Sequence, residues 1–445
     1  PVKKEHFVSF MERIMENGHA EVAPPLEQSA ECWYLPLFGV YHPKKKDQIR
    51  VVFDSSAKYN DISLNNVLMS GPDLANSLVG VLLRFRSEPV AIMADIQQMF
   101  YGFYVTEKHR NYLRFFWFRD NDPNKELVEY RMCVHVFGNC PSPAVATYGL
   151  RKCVQDIANS GVDVKVFVEN NFYVDDGLAS FPTASEAVDV LKRTQHVLAS
   201  QGNLRLHKIA SNSDTVLGSF PIDDLAKEFG NLDLGKDELP LQRSLGLCWN
   251  LHTDSFTYTI SDDSKPITRR GVLSTVNSLF DPLGFIAPVV LQGRVLMRDL
   301  LSETSDWDAP LSEKSQRIWC DWKMSLKLLE NVQIPRCFVP TSLQSCKDVT
   351  LHIFSDASEK AIAAVAYLRT VDAKGKVNVG FVFGKTKIAP KHGHTIPRLE
   401  LCAAVLAVEI AEFVSDQLNI SSENMKFYTD SKVVLGYLYN QVRRF

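Results

Sequence analysis

The run Phe172-Tyr173-Val174-Asp175-Asp176-Gly177-Leu178-Ala179 sets two adjacent carboxylates between two apolar segments. Apolar residues on both sides of a polar pair spell two strands joined by a tight turn. At such a tip both carboxylates reach solvent, where they can hold a hard divalent cation. Alone, the pattern also fits an ordinary Asp-Asp-Gly surface turn. What stands upstream separates the two readings.

Ala91-Ile92-Met93-Ala94-Asp95 is an apolar run ending in one carboxylate, followed by Ile96-Gln97-Gln98-Met99-Phe100. A strand-end Asp with an Asp pair at a hairpin tip suits two Mg²⁺ ions, the arrangement nucleotidyl transfer needs. One ion activates the attacking hydroxyl and the other holds the triphosphate. Mg²⁺ is hard and prefers oxygen ligands, and Mn²⁺ accepts the same carboxylates.

Further segments stand in order around these carboxylates. They are Arg50-Val51-Val52-Phe53-Asp54-Ser55-Ser56-Ala57-Lys58 with Ser63-Leu64-Asn65, then Phe137-Gly138-Asn139-Cys140-Pro141-Ser142-Pro143. Leu206-His207-Lys208 with Ser211-Asn212 follows, and then Leu245-Gly246-Leu247-Cys248-Trp249. In this order and spacing the chain resembles reverse transcriptases, and most closely the polymerase of BEL/Pao-type LTR retrotransposons. The resemblance implies that Asp95, Asp175 and Asp176 are the catalytic, metal-holding carboxylates. It implies that Arg50 contacts the incoming triphosphate and that the Phe137 segment packs beside the nucleotide and template base. Lys208 would lie near the pyrophosphate leaving group, and Leu245–Trp249 would form the primer grip. Phe100 matches the position under the incoming sugar, where a ring would clash with a 2′-hydroxyl and select deoxynucleotides. Core packing is the other reading of Phe100. Val174 stands where RNA-dependent RNA polymerases usually show Gly. His135 stands where many reverse transcriptases carry Gln, a departure that bears on template and nucleotide contact.

The last hundred residues read as a second catalytic unit. Val349, Leu351 and Ile353 alternate with Thr350, His352 and Phe354 in a strand that ends at Asp356. Strand-like runs 361–368 and 377–383 follow, and Pro397-Arg398-Leu399-Glu400-Leu401 enters an Ala-rich helix. Lys426-Phe427-Tyr428-Thr429 is another strand, closed by Asp430-Ser431. Two strand-end Asp residues and a helical Glu resemble the RNase H active site. By that match Asp356, Glu400 and Asp430 hold two Mg²⁺ ions and direct water at an RNA phosphodiester. The family draws a fourth carboxylate from a later helix, so the domain is expected to be truncated here.

Elsewhere the residues speak more locally. Phe7, Phe10, Met11, Ile14 and Met15 share one helical face, with Gly18 as the stop. Residues 90–120 alternate as strands do. The 141–160 stretch reads as a helix with proline in its first turn. Thr183-Ala184-Ser185-Glu186 is a capping-box signature for a helix that runs to Gly202. The Asp223-Asp224 pair behind Pro221 reads as a loop or helix start. Arg269-Arg270-Gly271 opens a largely helical region. Phe280-Asp281-Pro282-Leu283-Gly284-Phe285-Ile286-Ala287-Pro288 is characteristic of the same retroelement family, and Trp307, Trp319 and Trp322 are expected to pack the helices there.

With 445 residues, 45% hydrophobic and 23% charged, the chain has the composition of a globular protein of two to four domains. A net charge of −3 excludes a uniformly basic coat, so nucleic-acid binding must come from local stripes. Lys44-Lys45-Lys46, Arg50, Arg269-Arg270 and Arg443-Arg444 are the candidates. The nine cysteines are scattered without a CxxC pair, which supports neither a disulfide framework nor a zinc ribbon and fits an intracellular protein. No apolar run reaches membrane-spanning length. Lacking an initial Met, the chain is expected to be a piece of a longer Gag-Pol polyprotein.

The expected fold is α+β: a right-hand polymerase (fingers, palm, thumb) followed by a truncated RNase H-like α/β domain. Residues 1–215 are assigned to fingers and palm, 216–345 to primer grip, thumb and connection, and 346–445 to the RNase H-like domain. Partners implied are an RNA template, a DNA primer, RNA–DNA hybrid and deoxynucleotide triphosphates. The resemblance also implies DNA integration for the element, and a polymerase that is cytoplasmic in a virus-like particle, or nuclear. A catalytically inactive, domesticated nucleic-acid-binding fragment is the rival reading. An aspartic protease is a third, but it needs Asp-Thr-Gly or Asp-Ser-Gly, and Asp54-Ser55-Ser56 and Asp356-Ala357-Ser358 both fail that pattern.

Overall fold

The computed structural model describes residues 2–27, 31–42, 45–155, 161–226, 241–244, 247–260, 265–303, 305–390 and 393–440. The Lys44-Lys45-Lys46 and Arg443-Arg444 clusters and the start of the Leu245–Trp249 segment lie outside the described residues or side chains. The chain divides into two compact units. One comprises Pro1–Asn76, Asp95–Gly177 and Val190–His207; the other comprises Ser77–Ala94, Leu178–Asp189 and Lys208–Phe445.

In the first unit the helix Val2–Glu16 buries Met11 and Ile14 completely, while Phe7, Phe10 and Met15 pack half-buried around them. The chain leaves the helix through Gly18 at φ 65°. The helix covers an antiparallel sheet ordered Ala20–Val22, Leu127–Met132, Arg114–Phe118. Phe53, Phe115, Tyr130, Met132 and Val134 fill the core beneath it. The strands Leu37–His42 and Lys45–Phe53 pair antiparallel beside it. Residues 90–120 are not strand throughout. The strand Val90–Ile96 ends where Gln98 turns left-handed at φ 50°, and 3₁₀ segments Met99–Gly102 and Glu107–Leu113 intervene before the next strand.

A four-stranded sheet runs in the order Leu206–Ser211, Val90–Ile96, Asp176–Phe181, Phe172–Tyr173. In the chain, helices Ser142–Gln155 and Val162–Asn170 precede its hairpin strands and Ala184–Gly202 follows them. Thr183 caps the last of these: its Oγ1 accepts from Glu186 N at 3.2 Å and donates to Glu186 Oε1 at 3.1 Å. A cap of this kind contributes about 1 kcal/mol. Ala187, Leu191 and Leu198 are fully buried along one face of that helix.

In the second unit three helices, Arg269–Ser278, Ala287–Leu300 and Glu313–Ser325, close around Val272, Val276, Leu296, Leu300, Trp319 and Trp322. Trp307 is not in this core; it is 39% exposed and lies under the Arg269 guanidinium at 4.3 Å. That contact also corrects the Arg269-Arg270 stripe. Arg269 is buried, and Arg270 is engaged by Asp308 at 2.7 and 2.9 Å. The Asp223-Asp224 pair sits in a single 3₁₀ turn, Ile222–Asp224.

The Phe280–Pro288 segment is a docking loop. The Asp281 carboxylate accepts from Phe285 N and Ile286 N, both at 2.9 Å, and from Tyr258 Oη at 3.1 Å. Gly284 turns at φ 81° against the strand Val377–Ile388, where Leu283 O accepts from Gly384 N at 2.9 Å. A Cβ at Gly284 would collide with the Gly384 carbonyl oxygen.

That strand is the edge of a sheet ordered Val377–Ile388, Ala361–Val371, Asp348–Ala357, Met425–Tyr428. The last pair is parallel and the others antiparallel. A parallel pair needs a crossover, and the helix Ile396–Leu418 supplies it. Leu351 and Ile353 on the sheet and Leu399, Ala403, Leu406 and Ile410 on the helix are buried.

Two buried arginines tie the helix Leu78–Phe85 into this unit. Arg86 donates to the carbonyls of Arg336, Val382 and Phe381 at 2.8, 3.0 and 2.8 Å. Its guanidinium lies between the Phe285 and Phe338 rings at 4.9 and 4.4 Å. Arg336 donates to the carbonyls of Phe85, Glu88 and Pro89 and forks onto Asp254 at 2.7 and 2.8 Å.

Candidate functional site

The Phe172–Ala179 run folds as the predicted hairpin. Tyr173 pairs with Asp176 and Phe172 with Gly177, so Val174 and Asp175 are the two turn residues. Val174 sits at φ 58°, a left-handed conformation that a β-branched residue rarely adopts. Strain of this kind persists where surrounding structure holds it, often at functional sites. Ile96 N donates to Asp175 O at 3.0 Å, which sets the strand end carrying Asp95 beside the hairpin tip. Asp95, Asp175 and Asp176 are all part-exposed.

Asp95 has a partner that the motif reading did not single out. His207 Nε2 lies 3.2 Å from Asp95 Oδ1, with the two side chains 15% and 21% exposed. Only adjacency to Lys208 could have drawn attention to His207 in the sequence. Lys208 itself is exposed and left-handed at φ 51° inside its strand.

Arg50, Phe100 and Phe137 come together. The Arg50 guanidinium lies 5.3 Å from the Phe137 ring centre, and Phe100 meets the same ring edge-on at 4.6 Å. Phe100 is buried beneath it at 8% exposure, and Arg50 is exposed. The next ring, Tyr101, is buried and its hydroxyl pKa is pushed up to about 12 by desolvation, against the pull of the Arg50 charge.

Asn65 holds the Phe137 turn in place. Its Nδ2 donates to Gly138 O at 2.8 Å and Ser56 Oγ at 3.1 Å, and its Oδ1 accepts from Cys140 N at 2.9 Å. Ser55 Oγ donates to Asn139 Oδ1. Gly138 stands at φ 104°, where a Cβ would press to 3.0 Å on Phe53 O. The Asp54–Asn65 and Phe137–Pro143 motifs thus form one hydrogen-bonded body. His135, half-buried, places Nδ1 3.3 Å from Ser142 Oγ, and desolvation lowers its pKa.

The second unit carries a carboxylate trio. Asp356, Glu400 and Asp430 each bring an oxygen within 4.8 Å of the others, and among the described residues they are the one set of potential metal ligands so gathered. Asp356 comes from the end of a central strand and Asp430 from the loop after its parallel neighbour. Glu400 comes from the first turns of the crossover helix, which starts with Pro397. Ser431 fixes the approach to Asp430 by capping the helix Lys432–Tyr439, its Oγ accepting from Val434 N at 3.4 Å.

The electrostatics of the trio fit a divalent cation. Glu400 Oε2 is buried with no hydrogen-bond partner among the described residues. Burial first, then the charges of Asp356 and Asp430, raise the Glu400 pKa above the ordinary glutamate value. Three hard oxygen donors that repel one another are what a small divalent ion relieves. RNase H-like domains generally use divalent metals; the trio is compatible with Mg²⁺ and Mn²⁺ alike.

Residues 268–431 match the family described as the Pao retrotransposon-like RNaseH-like domain. The match opens at Thr268, whose Oγ1 caps the helix Arg269–Ser278, and closes at the capping Ser431. Solved structures of foamy viral proteins share the fold along nearly the whole chain. The foamy viral protease-reverse transcriptase in complex with RNA/DNA hybrid aligns at TM-score 0.59 and 13% identity, covering 97% of this chain and 54% of that one. These matches support a BEL/Pao-type retroelement Pol fragment. The foamy viral protease-reverse transcriptase dRH in complex with ds DNA gives TM-score 0.57 and 14% identity over 95% of this chain and 62% of that one. The same viral protein in complex with dsDNA gives 0.57 and 13%, over 96% and 83%. The chain therefore spans less than two thirds of the first two of these chains. At such identities the likeness speaks for the fold: a mixed α/β reverse-transcriptase-like chain with an RNase H-like domain. No curated protein matches the sequence. Among the described residues no helix is long and apolar enough to cross a membrane.

Proposed function

We propose that this Pol fragment is an RNA-directed DNA polymerase joined to an RNase H-like domain that acts on RNA–DNA hybrids. The observation that carries the reading is the convergence of Arg50, Phe137 and Phe100 into one cluster, in the same unit as the strand end that carries Asp95 and is fastened through Ile96 N to Asp175 O. In this reading residues 1–215 are fingers and palm, 216–345 primer grip, thumb and connection, and 346–445 the RNase H-like domain. Template RNA, primer DNA, deoxynucleotide triphosphates and other Gag-Pol segments are its partners, in a cytoplasmic virus-like particle or the nucleus.

Asp95, Asp175 and Asp176 are carboxylate donors suited to Mg²⁺, and Asp356, Glu400 and Asp430 would hold the same kind of ion in the second site. When bound, such ions supply charge neutralisation and activation of the attacking oxygen. Arg50 offers a forked donor to the triphosphate. The Phe137 ring braces that guanidinium from below, and Phe100 beneath it limits the room for a 2′-hydroxyl. Lys208 would neutralise or protonate the departing pyrophosphate.

The test is primer extension by the full chain on an RNA template with Mg²⁺, using deoxynucleotides and then ribonucleotides, beside an Asp175→Asn variant. Extension with deoxynucleotides alone, abolished by Asp175→Asn, is the expected result. Bound primer–template without extension would favour the inactive, domesticated binding fragment.

A further inference from the structure

We propose that His207 is the positioning residue for Asp95. The inference rests on the polymerase reading of Asp95 and deepens it. An ionised carboxylate only accepts hydrogen bonds, so the 3.2 Å contact requires the proton on Nε2 of His207. The ring is then a donor that fixes the orientation of the carboxylate. Asp95 lies at the end of the strand that Ile96 N fastens to Asp175 O.

The backbone is built to deliver that ring. In the strand Leu206–Ser211 a regular alternation would place neighbouring side chains on opposite faces. Lys208 breaks it at φ 51°: His207 and Lys208 are part-exposed and exposed in succession, and the next three residues are buried. A left-handed residue inside a strand is a bulge-like irregularity of the kind that re-aims a side chain.

The chemistry also accounts for a histidine here. A permanent cation at this spot would form an ion pair with Asp95 and compete with a divalent ion for the same oxygens. An imidazole N–H orients the carboxylate without a permanent charge. Partners that orient a ligating group typically contribute about 10- to 100-fold in metal affinity or activity.

The test uses the full chain with His207→Leu, His207→Gln, His207→Lys and Asp95→Asn. Mn²⁺ binding is titrated by electron paramagnetic resonance without nucleotide or nucleic acid. The binding lost in Asp95→Asn defines the component that belongs to Asp95. Primer extension then gives kcat and the deoxynucleotide KM. His207→Leu is expected to weaken the Asp95 component about 10- to 100-fold and to lower kcat with KM unchanged. His207→Gln, which keeps an N–H of similar reach, should recover most of the loss. His207→Lys should weaken Mn²⁺ at least as much as His207→Leu. An unchanged Asp95 component and kcat in His207→Leu would overturn the proposal. So would a folded His207→Gln that behaves like His207→Leu. If Asp95→Asn alters neither Mn²⁺ binding nor extension, it is the polymerase reading that falls.

Discussion

Val174 holds a left-handed backbone at the hairpin tip between Tyr173 and Asp176, a conformation that costs an L-residue about 1–2 kcal/mol. Val174→Gly removes the Cβ conflict but adds unfolded-state entropy, so a net gain of at most about 1 kcal/mol is expected. The looser tip should lower extension several-fold, and thermal melting alongside primer extension checks both halves. Phe100, buried under Phe137, should act through bulk. Phe100→Val is expected to raise ribonucleotide incorporation relative to deoxynucleotide by tenfold or more, read from competing extension rates. Glu400 makes a prediction about pH. Its folded-state pKa is raised, so the folded protein binds the proton more tightly than the unfolded chain does. Stability then falls as pH rises from the ordinary glutamate pKa through the raised one. In chelator, Glu400→Gln should melt higher than the wild type at neutral pH, with the gap closing in acid. Mg²⁺ should narrow it at neutral pH. Melting curves across pH that show a constant gap would contradict this account.

Elements defined by a local period could be read directly from the chain. The carboxylate hairpin, the helix capped by Thr183, the strand ending at Asp356 and the helix bearing Glu400 all follow from alternation, capping and turn chemistry. The 3₁₀ segments after Ile96 did not, because the apolar residues of 90–120 continue past the turn at Gln98. Trp307 and Arg269 escaped for another reason: their partnership depends on a loop folding back, which no periodicity records. Likewise the Phe280–Pro288 motif was legible as a signature and not as a device. Its Asp281 cap and the Gly284–Gly384 approach make it a buttress for the carboxylate-bearing sheet. Gly284→Ala should therefore destabilise the second unit by about 2–4 kcal/mol, measured by urea unfolding. A fragment starting at residue 346 lacks that buttress. It should show poorly protected amides in hydrogen exchange where a fragment starting at residue 265 is protected.

Across the whole molecule, the two carboxylate sets belong to different compact units. Asp175→Asn should abolish synthesis, and Asp356→Asn should leave it within about twofold; primer-extension assays read both. The buried Arg86 carries a further consequence, one of time. It sits in a unit assembled from three separate stretches of chain, and its carbonyl partner Val382 lies 296 residues further on. At a synthesis rate of about 5–20 residues per second, roughly 15–60 s pass between the emergence of the two. Throughout that wait the guanidinium and the helix Leu78–Phe85 have no finished home. The ribosome would release a chain whose second unit begins to close only when its last third arrives, which makes the nascent polypeptide a natural client for chaperones that shield unfinished surfaces.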